Sequence, residues 1–135
     1  MLVRRDVAMG ATMSRILLAG SDPRLLATRA AVLSKTGAAV VYGNPLETLS
    51  ILDRETFDLV VLCHTLAEPD VAAIVDKVHR KIPDAKILMV TSSLSGYRMR
   101  VDSKIDATSM PEPGHLVALA KELLEIASYA SSARA

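Results

Sequence analysis

Three observations predict an α/β fold built on a buried parallel sheet. Phe57-Asp58-Leu59-Val60-Val61-Leu62-Cys63-His64 is a short apolar run rich in β-branched residues, the pattern of a central strand covered on both faces. Four more compact apolar runs alternate with segments whose apolar residues recur at helical spacing, and such alternation argues for a parallel sheet with helices on either side. Between them stand Pro, Gly, Asn and Asp at positions that start or stop helices.

Taken in order, Arg15-Ile16-Leu17-Leu18-Ala19 is the first strand, and Gly20-Ser21-Asp22-Pro23 ends it. Ser21 or Asp22 caps the following helix, with Pro23 near its first position, where a missing N–H costs nothing. Leu26, Ala30 and Leu33 form its inner stripe and Gly37 stops it. Ala38-Ala39-Val40-Val41-Tyr42 is the second strand. Gly43-Asn44-Pro45 turns into a short helix with Leu46, Leu49 and Leu52 inward, and the opening stretch is the third strand. A third helix starts near Glu68-Pro69-Asp70, carries Val71, Ile74, Val75, Val78 and Ile82 on one side, and ends at Pro83. Lys86-Ile87-Leu88-Met89-Val90-Thr91 is the fourth strand. Leu94, Tyr97 and Val101 line a short fourth helix. Ile105-Asp106-Ala107-Thr108-Ser109 is a weak fifth strand, and a final helix after Pro111-Glu112-Pro113-Gly114 turns Leu116, Leu119, Ala120 and Leu123 inward.

Five strands alternating with five helices, joined by right-handed crossovers, fit a flavodoxin-like (βα)5 three-layer sandwich with strand order 2-1-3-4-5. The 135-residue chain is long enough for one domain with a sizeable core. Residues 14–128 are assigned to that domain, residues 1–13 to a disordered lead-in and residues 129–135 to a frayed tail. Met9 and Met13 leave open a start later than Met1.

Half of the residues are hydrophobic but only Tyr42, Phe57, Tyr97 and Tyr129 are aromatic, so the core is aliphatic. No apolar run approaches the roughly 18 residues of a spanning helix. The net charge is +1 with both signs interspersed, which offers no clustered basic surface for nucleic acid. The single cysteine excludes an intramolecular disulfide. The paired Arg4 and Arg5 lack the apolar segment of a signal peptide behind them. The expected setting is the cytoplasm, without membrane or nucleic-acid partners.

Ile16-Leu17-Leu18-Ala19-Gly20-Ser21-Asp22-Pro23, Asp58-Leu59-Val60-Val61-Leu62-Cys63, Ile87-Leu88-Met89-Val90-Thr91-Ser92 and Met110-Pro111 together resemble the receiver domain of two-component response regulators over roughly residues 14–127. They look like the first strand with its acidic turn, the phosphoacceptor strand, the strand ending in Thr or Ser, and the Lys-Pro pair. The resemblance implies that the acidic pair falls on Gly20 and Ser21, the phosphoacceptor on Cys63, the lysine on Met110 and the switch aromatic on Ala107. Thr91 matches, and Asp22 lies just beyond the acidic pair. Mg²⁺ requires hard oxygen ligands, commonly carboxylates with phosphate and water. The resemblance therefore implies a stand-alone pseudo-receiver that signals by protein–protein contact without aspartyl phosphorylation, is not an enzyme and needs no cofactor or metal. Its partner is another signalling protein or a second copy. Arg98, Arg100 and Lys104 form a small basic cluster, which with Tyr97 makes a possible partner surface where receivers commonly dock.

Two other readings compete. Cys63, at the carboxyl end of a central strand, is a thiol switch if exposed and activated by positive charge, and otherwise a small buried hydrophobe. Ser21, Thr91, Ser92 and Ser93 gather hydroxyls at the crevice beyond the strand ends, suited either to a small molecule or anion or to ordinary capping and turns. Cys63 and His64 are adjacent on a strand, point to opposite faces and have no regularly spaced partners, so they make no zinc site. His79 and His115 read as surface residues. A carboxylate introduced at position 63 has no charged partner on this reading.

Overall fold

The computed structural model describes residues 13–91 and 104–134. Its strands are β1 Arg15–Ala19, β2 Ala39–Gly43, β3 Leu59–Leu62, β4 Lys86–Val90 and β5 Ala107–Ser109. They form one parallel sheet in the order β2-β1-β3-β4-β5, the flavodoxin-like order 2-1-3-4-5. The helices among the described residues are α1 Pro23–Leu33, α2 Pro45–Arg54, α3 Glu68–Lys81 and α4 Pro113–Arg134. The expected helix lined by Leu94, Tyr97 and Val101 lies outside the described residues, as do residues 1–12 of the expected lead-in.

Alternation along the strands divides the core in two. Leu17, Ala19, Val60, Leu62, Ile87 and Met89 pack with Ile51 and Leu52 of α2 and Val71, Ile74, Val75 and Val78 of α3. Ile16, Leu18, Leu59, Val61, Leu88 and Val90 pack on the opposite face with Leu26, Ala30 and Leu33 of α1 and Leu116, Ala120, Leu123 and Leu124 of α4. Cys63 belongs to the second set. The whole of β3 is inaccessible, as a strand with neighbours on both sides and helices on both faces must be.

The ends of the elements follow local chemistry. Asp22 caps α1, its Oδ1 accepting from the N–H groups of Arg24 at 3.0 Å and Leu25 at 3.4 Å. After α1 a short 3-10 turn, Ser34–Thr36, stops at Gly37, whose φ of 90° is left-handed and favours a residue without a β-carbon. Asn44 and Glu47 form a reciprocal capping box at α2, with both bonds at 2.8 Å. At the amino end of the sheet two carboxylates extend the ladders. Asp58 Oδ2 accepts from the Arg15 N–H at 2.9 Å, and Asp106 Oδ2 from the Ile87 N–H at 2.7 Å.

One expectation needs correction. In α2 the inner side is Thr48, Ile51 and Leu52, while Leu46 is 79% exposed. The capping box and Pro45 fix where the helix begins, and residue 46 then lies about 160° around the axis from Thr48. The final helix runs through Arg134. No Gly or Pro interrupts the chain between His115 and Arg134, and alanine has the highest helix propensity.

Candidate functional site at the carboxyl edge of the sheet

The loops after β1, β3 and β5 and the residue Thr91 after β4 meet at the carboxyl edge, where parallel α/β sheets place their ligand crevices. β1 runs directly into Gly20. The Gly20 N–H donates to the Gly43 carbonyl at 3.2 Å, and the Cys63 N–H to the Ala19 carbonyl at 2.9 Å. These bonds hold Gly20 and Cys63 side by side. A β-carbon built on Gly20 would come within 3.0 Å of Leu26 Cδ2 and 3.1 Å of the Cys63 β-carbon. The space next to Gly20 is therefore already filled.

Ser21 is exposed, and its backbone N–H donates to the Thr65 hydroxyl at 3.1 Å, tying the β1 loop to the turn after β3. Asp22 is engaged as the α1 cap. Across the edge, the Thr91 hydroxyl donates to the Ser109 carbonyl at 3.4 Å and the Thr91 N–H to the same oxygen at 2.9 Å. The Ser109 hydroxyl donates to the Met110 carbonyl at 2.7 Å. The Met110 N–H donates to His115 Nδ1 at 3.2 Å. Met110 itself is 44% exposed. These contacts anchor strand ends and a helix start.

Cys63 is buried, at 1% exposure. Burial pushes its thiol above the ordinary range, and the neighbouring Arg29 guanidinium offsets part of that rise. This environment favours the thiol over a reactive thiolate. His64, the next residue, is exposed. Partial desolvation holds its imidazole below the usual value, and the positive charge of Arg29 adds to the effect.

Arg29 is the residue beside the candidate site that the sequence reading missed. It sits on α1 with only 6% of its surface exposed, and its Nη1 is buried without a hydrogen-bond partner. The signal lay in the spacing: Leu26, Arg29, Ala30 and Leu33 follow i, i+3, i+4, i+7, which puts an arginine inside an apolar stripe. Thr65 was also missed, since nothing in the sequence sets its hydroxyl against the Ser21 N–H.

Of the expected partner surface, Lys104 is exposed, and its carbonyl accepts from His79 Nε2 at 3.2 Å. Tyr97, Arg98 and Arg100 lie outside the described residues, as do Ser92 and Ser93. His79 and His115 are both exposed. The described residues of the crevice do not fit Mg²⁺. Gly20 brings no ligand, Cys63 brings a soft protonated sulfur, the Asp22 carboxylate is taken up by capping, and Arg29 adds a like charge. Among the described residues no three His, Cys, Asp or Glu side chains gather closely enough to hold a metal ion, and no helix is long and apolar enough to cross a membrane.

No family model matches this sequence, and no curated protein matches it. Solved structures do, and they define the class of fold as that of CheY-like receiver domains. The chain is similar to a response regulator receiver domain protein (CheY-like) from Methanospirillum hungatei, with 24% identity over 87% of this chain and 98% of that one and a TM-score of 0.73. It is similar to the receiver domain of a sensor histidine kinase from Pseudomonas aeruginosa, described with a magnesium ion coordinated in the active site cleft, at 15% identity over 84% and 99% of the two chains and a TM-score of 0.71. It also matches a chain in the complex of histidine kinase ThkA with response regulator protein TrrA, at 24% identity over 83% and 99% with a TM-score of 0.69.

Proposed function

We propose that this chain is a receiver-like signalling module that works by protein–protein contact in the cytoplasm. It acts without aspartyl phosphorylation, without a metal or other cofactor and without catalysing a reaction. The observation that carries this reading is the filled crevice. Receiver phosphorylation needs an exposed carboxylate beside acidic metal ligands, and here the residue ending β3 is a buried thiol packed on Gly20 beside a buried arginine. The receiver fold supports the signalling role, and the kinase–regulator complex among the similar structures supports a protein partner. The partner is another signalling protein or a second copy of this chain, met through the surface around Tyr97, Arg98, Arg100 and Lys104. Membranes and nucleic acids are not among its partners.

The test is incubation with Mg²⁺ and a small acyl phosphate, followed by intact mass. An unchanged mass is expected. A hydroxylamine-labile phosphoryl adduct would overturn the reading.

A further inference from the structure

β2 is an edge of the sheet, and among the described residues no strand pairs with its outer side. An edge strand presents a row of unpaired N–H and C=O groups, and proteins usually blunt it with Lys, Pro, a bulge or a very short strand. β2 uses none of these. It runs five residues, Ala39-Val40-Val41-Tyr42-Gly43, without charge or proline and in unbroken register with β1, whereas β5 at the other edge has three. Its bonds to β1 fix which groups are open. The Ala39 N–H donates to the Ser14 carbonyl at 2.9 Å, and the Gly43 carbonyl accepts from the Gly20 N–H at 3.2 Å. Residues 39, 41 and 43 therefore turn their backbone groups toward β1, and Val40 and Tyr42 turn theirs outward. Tyr42 is 47% exposed, and Leu46, just beyond the end of the strand, is also largely uncovered.

We infer that β2 pairs antiparallel with β2 of a second copy of this chain, joining two sheets into one about a two-fold axis at Val41. The strand is complementary to itself in this register. Val40 of each copy faces Tyr42 of the other, and each such pair exchanges both N–H···O bonds. The side chains agree. Val40 packs on the α1 face of the sheet and Val41 on the α2 face, so by alternation Tyr42 shares the face of Val40. The cross-strand pairs are then valine against tyrosine, an aromatic–β-branched combination that stabilises antiparallel sheets. Charge agrees as well. Asp53 of α2 is paired with Lys77 of α3 at 2.8 Å, so that flank of α2 faces the middle of the sheet. Glu47 and Arg54 lie on the other side of the buried stripe of Thr48, Ile51 and Leu52, and both are exposed. The axis runs the two α2 helices antiparallel and sets Glu47 of each copy toward Arg54 of the other. These reciprocal matches are specific to a second copy, and an isologous contact of this kind closes as a dimer. Lys104 stands before β5, at the opposite edge, so the dimer leaves the partner surface proposed above open at both of its ends. The inference goes beyond that surface and does not depend on it.

The experiment is sedimentation equilibrium of the full chain from micromolar to millimolar concentration. The wild type should approach twice the chain mass. Tyr42→Pro removes an outward N–H and keeps every bond to β1, a change that an edge strand tolerates. It should weaken self-association by about tenfold or more, because each copy loses a bond across the axis, with the far-UV circular dichroism unchanged. A chain that stays monomeric throughout overturns the proposal. So does a dimer of unaltered affinity in folded Tyr42→Pro, which would use another face. Should Tyr42→Pro fail to fold, disulfide trapping in a Cys63→Ala background decides. Val41→Cys places two thiols on the axis in a non-hydrogen-bonded pair, with α-carbons about 4.5 Å apart and so within disulfide reach, and mild oxidation should give a covalent dimer. Val40→Cys should give none, because the residue opposite it is Tyr42. No covalent dimer from Val41→Cys, or equal yields from the two variants, overturns the proposal.

Discussion

Gly20 and Cys63 are packed so closely that a β-carbon on Gly20 would stand 3.1 Å from the Cys63 β-carbon and 3.2 Å from its sulfur. Neither residue has room to retreat, because both lie at strand ends fixed by ladder hydrogen bonds. Gly20→Ala should therefore cost about 1–3 kcal/mol through overpacking. Adding Cys63→Ala removes the sulfur and should recover part of the loss. Urea unfolding of the two single variants and the double variant measures this. Purely additive costs would mean that the two side chains do not share that space.

Leu62 points the other way, into the core under α2 and α3, and is inaccessible. Leu62→Ala should cost about 2–5 kcal/mol, read from the denaturation midpoint. A much smaller loss would mean that the site collapses to fill the hole.

A carboxylate placed at position 63 meets Arg29, where the sequence alone offers it no charged partner. Cys63→Asp should fold, its new side chain paired with the guanidinium, and should take up no phosphoryl group from a small donor with Mg²⁺. The same substitution combined with Arg29→Met leaves the carboxylate buried without a counter-ion. That double variant should be about 3–5 kcal/mol less stable than Arg29→Met alone. If Cys63→Asp costs the same with and without the arginine, Arg29 is out of reach of position 63.

Stability should depend on pH through two neighbours of opposite kind. The folded state raises the Cys63 pKa. The unfolded chain releases that proton first, at about pH 8.5, so the contribution of Cys63 is intact at neutral pH and declines as pH rises past that value. Comparison with Cys63→Ala between about pH 7 and pH 10 isolates it. For His64 the folded pKa is lowered. The unfolded chain then takes up the proton first, and stability falls as pH drops through about 6.5. NMR titration should place the His64 midpoint below that value, and Arg29→Met should move it upward. An unmoved midpoint would leave desolvation as the only cause.

Much of the fold was legible because its signals are local. β1 was read to the residue, the Gly37 stop and the Asp22 cap follow from backbone chemistry, and the run through Leu59–Leu62 leaves few alternatives to a buried central strand. In α2, Leu49 and Leu52 pack inward as expected and only Leu46 was misplaced, because the cap sets the helix phase. The site was harder for a different reason. The positions of Gly20, Ser21, Cys63, Thr91 and Met110 follow from the strand frame, but the contact between Gly20 and Cys63 depends on how two ladders align. Arg29 lies on a helix that the sequence reading treated only as cover for the sheet.

The carboxylates of Asp58 and Asp106 give the sheet two unlike ends. At the amino end, side chains complete the hydrogen bonding of Arg15 and Ile87 beside a cleft of about 400 Å³ lined by Arg15, Asp58, Lys81 and Ile82. At the carboxyl end, Gly20, Leu26 and Cys63 close on one another with little space for solvent. Water therefore reaches the ladder ends at Arg15 and Ile87 more readily than the contact between Gly20 and Cys63. Native-state hydrogen exchange should run along the strands as a gradient, fastest where polar side chains finish the ladders and slowest toward the Cys63 amide.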